Sequence, residues 1–195
     1  PDHVLLPKSL AQRPVSPAES TTPERITLAF HNAQGIRDPV KRTVLAKSFT
    51  KLKALFVGIA EANTKSHGHK PVVQGTPLVA YASGCDTTGR FGCELWVNPN
   101  VTYLKHGDQS YTLQAEHVQP VHAETRLFIL KVNAPYLQLT IVVAHVPSNT
   151  KPEARKAWLK HFQPTVAQHT IDRKPIVLLA DLNTVFPTDL DIPSI

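Results

Sequence analysis

Pro175-Ile-Val-Leu-Leu-Ala-Asp-Leu-Asn183 is an apolar run that closes on two polar residues, Asp181 and Asn183. An unbroken aliphatic run of this length reads as a buried strand, and the polar pair falls at its C-terminal end. Three other runs share that layout. Arg25-Ile-Thr-Leu-Ala-Phe-His31 stops at Asn32, Leu55-Phe-Val-Gly-Ile-Ala60 stops at Glu61, and the segment from Leu137 closes on His145. Strand ends are where a rigid sheet can hold groups from distant parts of a chain together. Singly, each of these residues is an ordinary polar strand end; jointly they predict a layered α/β fold with an oxygen-rich site. A carboxylate with amide oxygens suits Mg2+ or Mn2+ rather than zinc, and such an ion keeps waters that bridge to a substrate phosphate.

Around these runs the chain alternates apolar extended segments with amphipathic ones. Val40, Val44, Leu45, Phe49, Leu52 and Leu55 recur at helical spacing, which predicts a helix over 40–55 with Lys41, Arg42, Lys47, Lys51 and Lys53 on its solvent face. Segments 78–82, 91–97, 111–118, 126–132 and 137–145 are β-rich and separated by turn residues, so a mostly antiparallel sheet is expected. The stretch from Asn63 to Gly75 is polar and reads as a long loop. Thr150-Lys-Pro-Glu153 has capping-box spacing and predicts a second helix starting at Thr150, with Pro164 kinking or ending it. Prolines 1, 7, 14, 17 and 23 among Ser and Thr predict an extended, disordered leader over 1–24, with the domain occupying 25–195.

The chain has 195 residues, 42% hydrophobic and 18% charged, enough for one domain with a real core. That balance excludes a disordered polyelectrolyte, a collagen-like repeat and a coiled coil. No apolar run reaches the ~18 residues of a spanning helix, and Cys85 and Cys93 match no zinc or redox spacing. They read as reduced thiols in an intracellular protein, nuclear or cytoplasmic. Net charge is +6, which favours an anionic partner such as nucleic acid. Cys93 and Trp96 read as core, and His67 and His69 as solvated loop residues. His31, His117 and His122 read as structural or exposed. The lysines of the 40–55 helix, with Lys156 and Lys160, read either as a solvated face or as a phosphate-contacting patch.

The order of these motifs resembles that of a known family. Asn32-Ala-Gln-Gly35, Gly58-Ile-Ala-Glu61, Phe91-Gly-Cys-Glu-Leu-Trp-Val97, Val143-Ala-His-Val-Pro147 and Leu179-Ala-Asp-Leu-Asn183 are similar, in sequence order, to motifs of the endonuclease/exonuclease/phosphatase superfamily of Mg2+-dependent phosphodiesterases. The Gly-Cys-Glu-Leu-Trp run and His145 most resemble the apurinic-type endonuclease domains of non-LTR, LINE-type retrotransposons. The resemblance implies a DNase I-like four-layer α/β/β/α sandwich and a DNA-nicking enzyme, with a reverse transcriptase as the expected partner domain. It further implies Glu61 as principal metal ligand, with Asn32 assisting at the metal and the phosphate. Asp181 would orient or activate the attacking water, Asn183 would bond the scissile phosphate, and His145 would take the place of the family's phosphate-contacting Tyr. Lys41 and Arg42, with Asn183, are the expected nucleic-acid contacts, and no organic cofactor is implied.

Four departures follow from the same comparison. Gln34 stands where many relatives carry a second Asn. Ala60 replaces a Gln, removing one polar group beside the metal. Because imidazole titrates near neutrality, His145 predicts a sharper pH dependence than Tyr. Only twelve residues follow Asn183, without the Asp-His pair that supplies the family's acid/base histidine, although Asp189 and Asp191 are present. The expectation is a domain missing its last strands, with little hydrolytic activity by itself. Two other functions fit the motifs: a phosphodiesterase for inositol or lipid phosphates, and a non-catalytic nucleic-acid-binding remnant.

Overall fold

Parallel strands need a long crossover, and the helices here supply it twice. The structure, a computed structural model, describes residues 21–65, 67–170 and 173–183. In chain order the elements are β1 (Thr21–Pro23), β2 (Leu28–Asn32), α1 (Pro39–Lys51), β3 (Phe56–Ala60), β4 (Gly68–Pro71), β5 (Val79–Ala82) and β6 (Glu94–Val97). There follow β7 (Thr102–His106), β8 (Gln109–Thr112), β9 (Val118–Glu124), β10 (Leu127–Ala134), β11 (Leu137–His145), α2 (Pro152–His169) and β12 (Ile176–Asp181). A five-stranded sheet runs β2-β3-β6-β5-β4, a four-stranded sheet β12-β11-β10-β9, and a small sheet β1-β7-β8. β2 and β3 are parallel across α1, and β11 and β12 are parallel across α2; the other pairs are antiparallel.

Side-chain alternation sorts the apolar residues into three clusters. Phe56, Leu95 and Val97 of the larger sheet meet Phe128, Leu130, Ile141, Val143 and Leu179 of the four-stranded sheet. The intervening Val57, Ile59, Ala80 and Trp96 pack with Ala46 and Phe49 of α1. Leu127, Ile129, Val142 and Ala144 meet Trp158, Phe162 and Val166, which recur every four residues along α2. Gly58 faces the other sheet, where a Cβ would lie 2.7 Å from Leu179 Cβ; glycine lets β3 and β12 approach that closely.

Several expectations change. β2, β3, β5 and β6 are shorter than their apolar runs, and β1, β4, β7 and β9 were not separately legible. β4 lies in the expected loop and pairs with β5. Thr21–Pro23, expected in the leader, pair with β7, and Glu24 of the same stretch donates its N–H to the Tyr103 carbonyl; residues 1–20, and Asp189 and Asp191, lie outside the described residues. α1 presents a different face. Arg42, Ala46 and Phe49 are buried, whereas Val40 and Val44 are 69% and 58% exposed.

The reason for that face is Glu94, buried on β6. Arg42 reaches it with two bonds, Nη1 to Oε1 at 3.2 Å and Nη2 to Oε2 at 3.0 Å, while its Nε donates to the Val72 carbonyl. Trp96 Nε1 and Thr64 Oγ1 each donate to the same carboxylate at 2.6 Å. Arg42 is therefore committed to the interior and is not the exposed phosphate contact that the helical pattern implied. α2 begins at Pro152 without a side-chain cap, because Thr150 pairs with the Ser148 hydroxyl instead. It continues through Pro164 to His169, since its apolar stripe packs on the sheet both before and after the proline. No helix among the described residues is long and apolar enough to cross a membrane.

Candidate active site

Parallel pairing delivers strand ends in couples. In register, Asn32 lies beside Ala60 and His145 beside Asp181, so β2, β3, β11 and β12 discharge their polar residues at one end of the paired sheets. Asn32 Nδ2 donates to Asp181 Oδ2 at 2.6 Å and to Glu61 Oε1 at 3.3 Å, bridging positions 149 and 29 residues away. Its Oδ1 accepts from the Gln34 backbone N–H at 3.1 Å. His145 Nε2 lies 2.9 Å from the same Glu61 oxygen.

Local backbone geometry aims these groups. Glu61 has φ +50°, a left-handed conformation that is costly for a residue with a side chain. It is held by backbone bonds on both sides: Ala33 N–H to the Ala60 carbonyl, Gly35 N–H to the Glu61 carbonyl and Ala62 N–H to the Gly92 carbonyl. Beyond β12, Asn183 also has positive φ; its N–H donates to Asp181 Oδ1 at 2.9 Å and its Nδ2 to the Val146 carbonyl at 2.7 Å. Both Asp181 oxygens are thus oriented. Arg155 of α2 donates to the Pro147 and Leu182 carbonyls, tying the two strand ends to the helix.

Arg126 was not signalled by the sequence, because an arginine at the start of a strand has no distinctive pattern. Its Nη1 lies 3.0 Å from His145 Nδ1 and its guanidinium stacks 3.6 Å over the Phe91 ring. A guanidinium has no acceptor, so Nδ1 must accept, and the ring proton of neutral His145 sits on Nε2, facing Glu61. Burial, then the Arg126 charge, hold the His145 pKa below the ordinary histidine range, with Glu61 and Asp181 opposing. That shift favours the neutral ring, whose Nε2–H is aimed at Glu61.

Glu61, His145 and Asp181 offer ligand atoms all within 4.8 Å of one another. With the His145 Nε2 proton aimed at Glu61, the available donors are oxygens, and two carboxylates beside a neutral imidazole fit a hard divalent cation. The Glu61 side chain is 28% exposed against 4% for His145, so the carboxylate is the group that solvent reaches. Lys41 Nζ donates to the Ala33 carbonyl, placing its ammonium next to the Asn32 strand end; Gln34 is exposed at the rim. A surface hollow of about 570 Å³, lined by residues such as Arg25, Asn98 and Lys105, contains none of these groups.

No family model matches the sequence, and no curated protein matches it. Solved structures do match the fold. The endonuclease domain of TRAS1, a telomere-specific non-LTR retrotransposon, has TM-score 0.53 and 11% identity over 83% of this chain and 61% of that one. An AP endonuclease from Archaeoglobus fulgidus has TM-score 0.54 and 15% identity over 82% of this chain and 58% of that one. TDP2 of D. rerio, complexed with single-strand DNA product, has TM-score 0.51 and 11% identity over 86% of this chain and 63% of that one. The chain thus matches members of the endonuclease/exonuclease/phosphatase superfamily in structure and has their DNase I-like α/β fold. It spans about three fifths of the length of these structures.

Proposed function

We propose that this chain is a metal-dependent phosphodiesterase domain acting on DNA, of the kind that nicks target DNA for a non-LTR retroelement, built as an α/β/β/α sandwich. The observation that carries this reading is the convergence of Asn32, Glu61, His145 and Asp181 at four strand ends. The likeness to two endonucleases and to a protein solved with DNA product supports it, as does the net charge of +6.

Glu61, with Asp181 alongside and Asn32 assisting, would hold Mg2+, with Mn2+ an equivalent fit. Bound there, the ion supplies Lewis-acid polarisation of a phosphoryl oxygen and a stronger water nucleophile. Asn32 keeps the two carboxylates at a set separation through its bridging amide. Asp181, fixed through both oxygens, orients the attacking water and accepts its proton. His145 presents Nε2–H as a neutral donor to a phosphate oxygen, and the Asn183 amide provides a second donor on exchange from the Val146 carbonyl. Lys41 contacts a neighbouring phosphate. The water oxygen bonds to phosphorus as the bond to the leaving alkoxide breaks. The leaving alkoxide takes its proton from water.

The test pairs a binding readout with an activity readout. Mn2+ binding followed by electron paramagnetic resonance should show a fraction displaced by Mg2+, and supercoiled plasmid should be nicked slowly with Mg2+ but not with EDTA. Glu61→Gln and Asp181→Asn should lose both signals with an unchanged circular-dichroism spectrum. Unchanged Mn2+ binding in both variants, or nicking indifferent to them, would overturn the assignment. Salt-sensitive DNA binding without metal-dependent nicking would instead identify a non-catalytic binding module.

A further inference from the structure

A second cluster of ligating side chains lies on the far face of the four-stranded sheet, between β9 and α2. His122 pairs across the ladder with Ile129, and Glu124 with Leu127. Ile129 and Leu127 belong to the cluster beneath α2, so both polar side chains of β9 face the helix. From the helix comes His161, with Thr165 and His169 at successive four-residue steps on the same side.

Their atoms converge on a point. His122 Nε2 lies 3.1 Å and His161 Nε2 3.0 Å from one and the same oxygen, Glu124 Oε1, and the three ligand atoms all fall within 4.8 Å of one another. Ligands bound at ~2.0–2.1 Å around a tetrahedral zinc stand roughly 3.3 Å apart, close to these spacings. His122 Nε2 is shielded from solvent and makes no hydrogen bond of good geometry, although it lies 3.1 Å from Glu124 Oε1. A buried nitrogen without a hydrogen-bond partner is costly in a folded chain, and coordination would satisfy it. The His169 ring packs 5.3 Å from that of His122 and closes the remaining side.

We propose that His122, Glu124 and His161 form a Zn2+ site, with the fourth position taken by water. Two imidazoles and one carboxylate suit this borderline ion, whereas the oxygen-rich set at Glu61 suits Mg2+. β9 is the edge strand of its sheet, and the ion pins it to α2. The site is independent of the strand-end carboxylates and of the function proposed for them.

Tag-free chain, stripped with EDTA and dialysed, is titrated with Co2+ and then Zn2+. The expected result is one site giving the intense visible bands of tetrahedral Co2+, bleached by one equivalent of Zn2+ and unaffected by excess Mg2+, with a rise in melting temperature on zinc binding. Loss of an outer-shell partner weakens metal sites by ~10–100-fold, so loss of the ligand in His161→Ala should weaken zinc by at least about 100-fold. His161 is half exposed, so this variant folds even if His122→Gln does not. Glu61→Gln should keep the bands. Absence of tetrahedral bands in the parent chain, or zinc affinity retained in His161→Ala, would overturn the site.

Discussion

At the scale of single residues, the site is organised by what each group cannot do. Arg126 cannot accept a hydrogen bond, so it forces the proton of neutral His145 onto Nε2. Arg126→Gln should therefore raise the His145 pKa toward the ordinary histidine value, read by NMR titration of the ring, and release its tautomer; an unchanged pKa would refute the coupling. The sign for stability follows from the lowered pKa. Neutral His145 contributes stability fully above its unfolded pKa of about 6.5, and that contribution is lost as pH falls through the lower folded value. Urea midpoints measured downward from about pH 7 should fall over this window in the parent chain, and less so in His145→Gln. Glu61, Asp181 and Asn32 were legible because each ends an apolar run. Arg126 and Arg155 were not, since their importance comes from which carbonyl or ring nitrogen they reach.

At the scale of elements, α1 shows how a buried polar partner overrides an apolar stripe. Val40 and Val44 recur at helical spacing, yet the helix turns Arg42 inward because β6 offers it a carboxylate with no contact to water. Breaking a buried pair leaves an uncompensated charge, so Glu94→Ala should cost about 3–5 kcal/mol in urea unfolding. A cost under about 1 kcal/mol would mean the pair is not desolvated as described. The close approach of β3 and β12 makes a second element-scale prediction. Gly58→Ala must displace the Leu179 and Phe30 side chains, at about 1–3 kcal/mol, and should loosen the strand ends carrying Glu61 and Asp181. Native-state hydrogen exchange at β12 amides checks this.

At the scale of the whole molecule, the positive charge gives a measurable expectation. If the DNA reading holds, affinity falls log-linearly with salt, and Lys41→Ala lowers the slope by about 1; a salt-independent affinity would remove nucleic acid as the partner. By itself the sequence determined the α/β class, the four polar strand ends and their order, because unbroken apolar runs and their terminators are local features of the chain. Tertiary structure alone decided which face of α1 is buried, and that His122, first read as merely structural or exposed, meets Glu124 and His161. It also decided that Asn32 bridges two carboxylates far apart in sequence. Each outcome depends on a partner brought in across the sheets by pairing register and helix packing, and no local pattern carries the identity of a partner that distant.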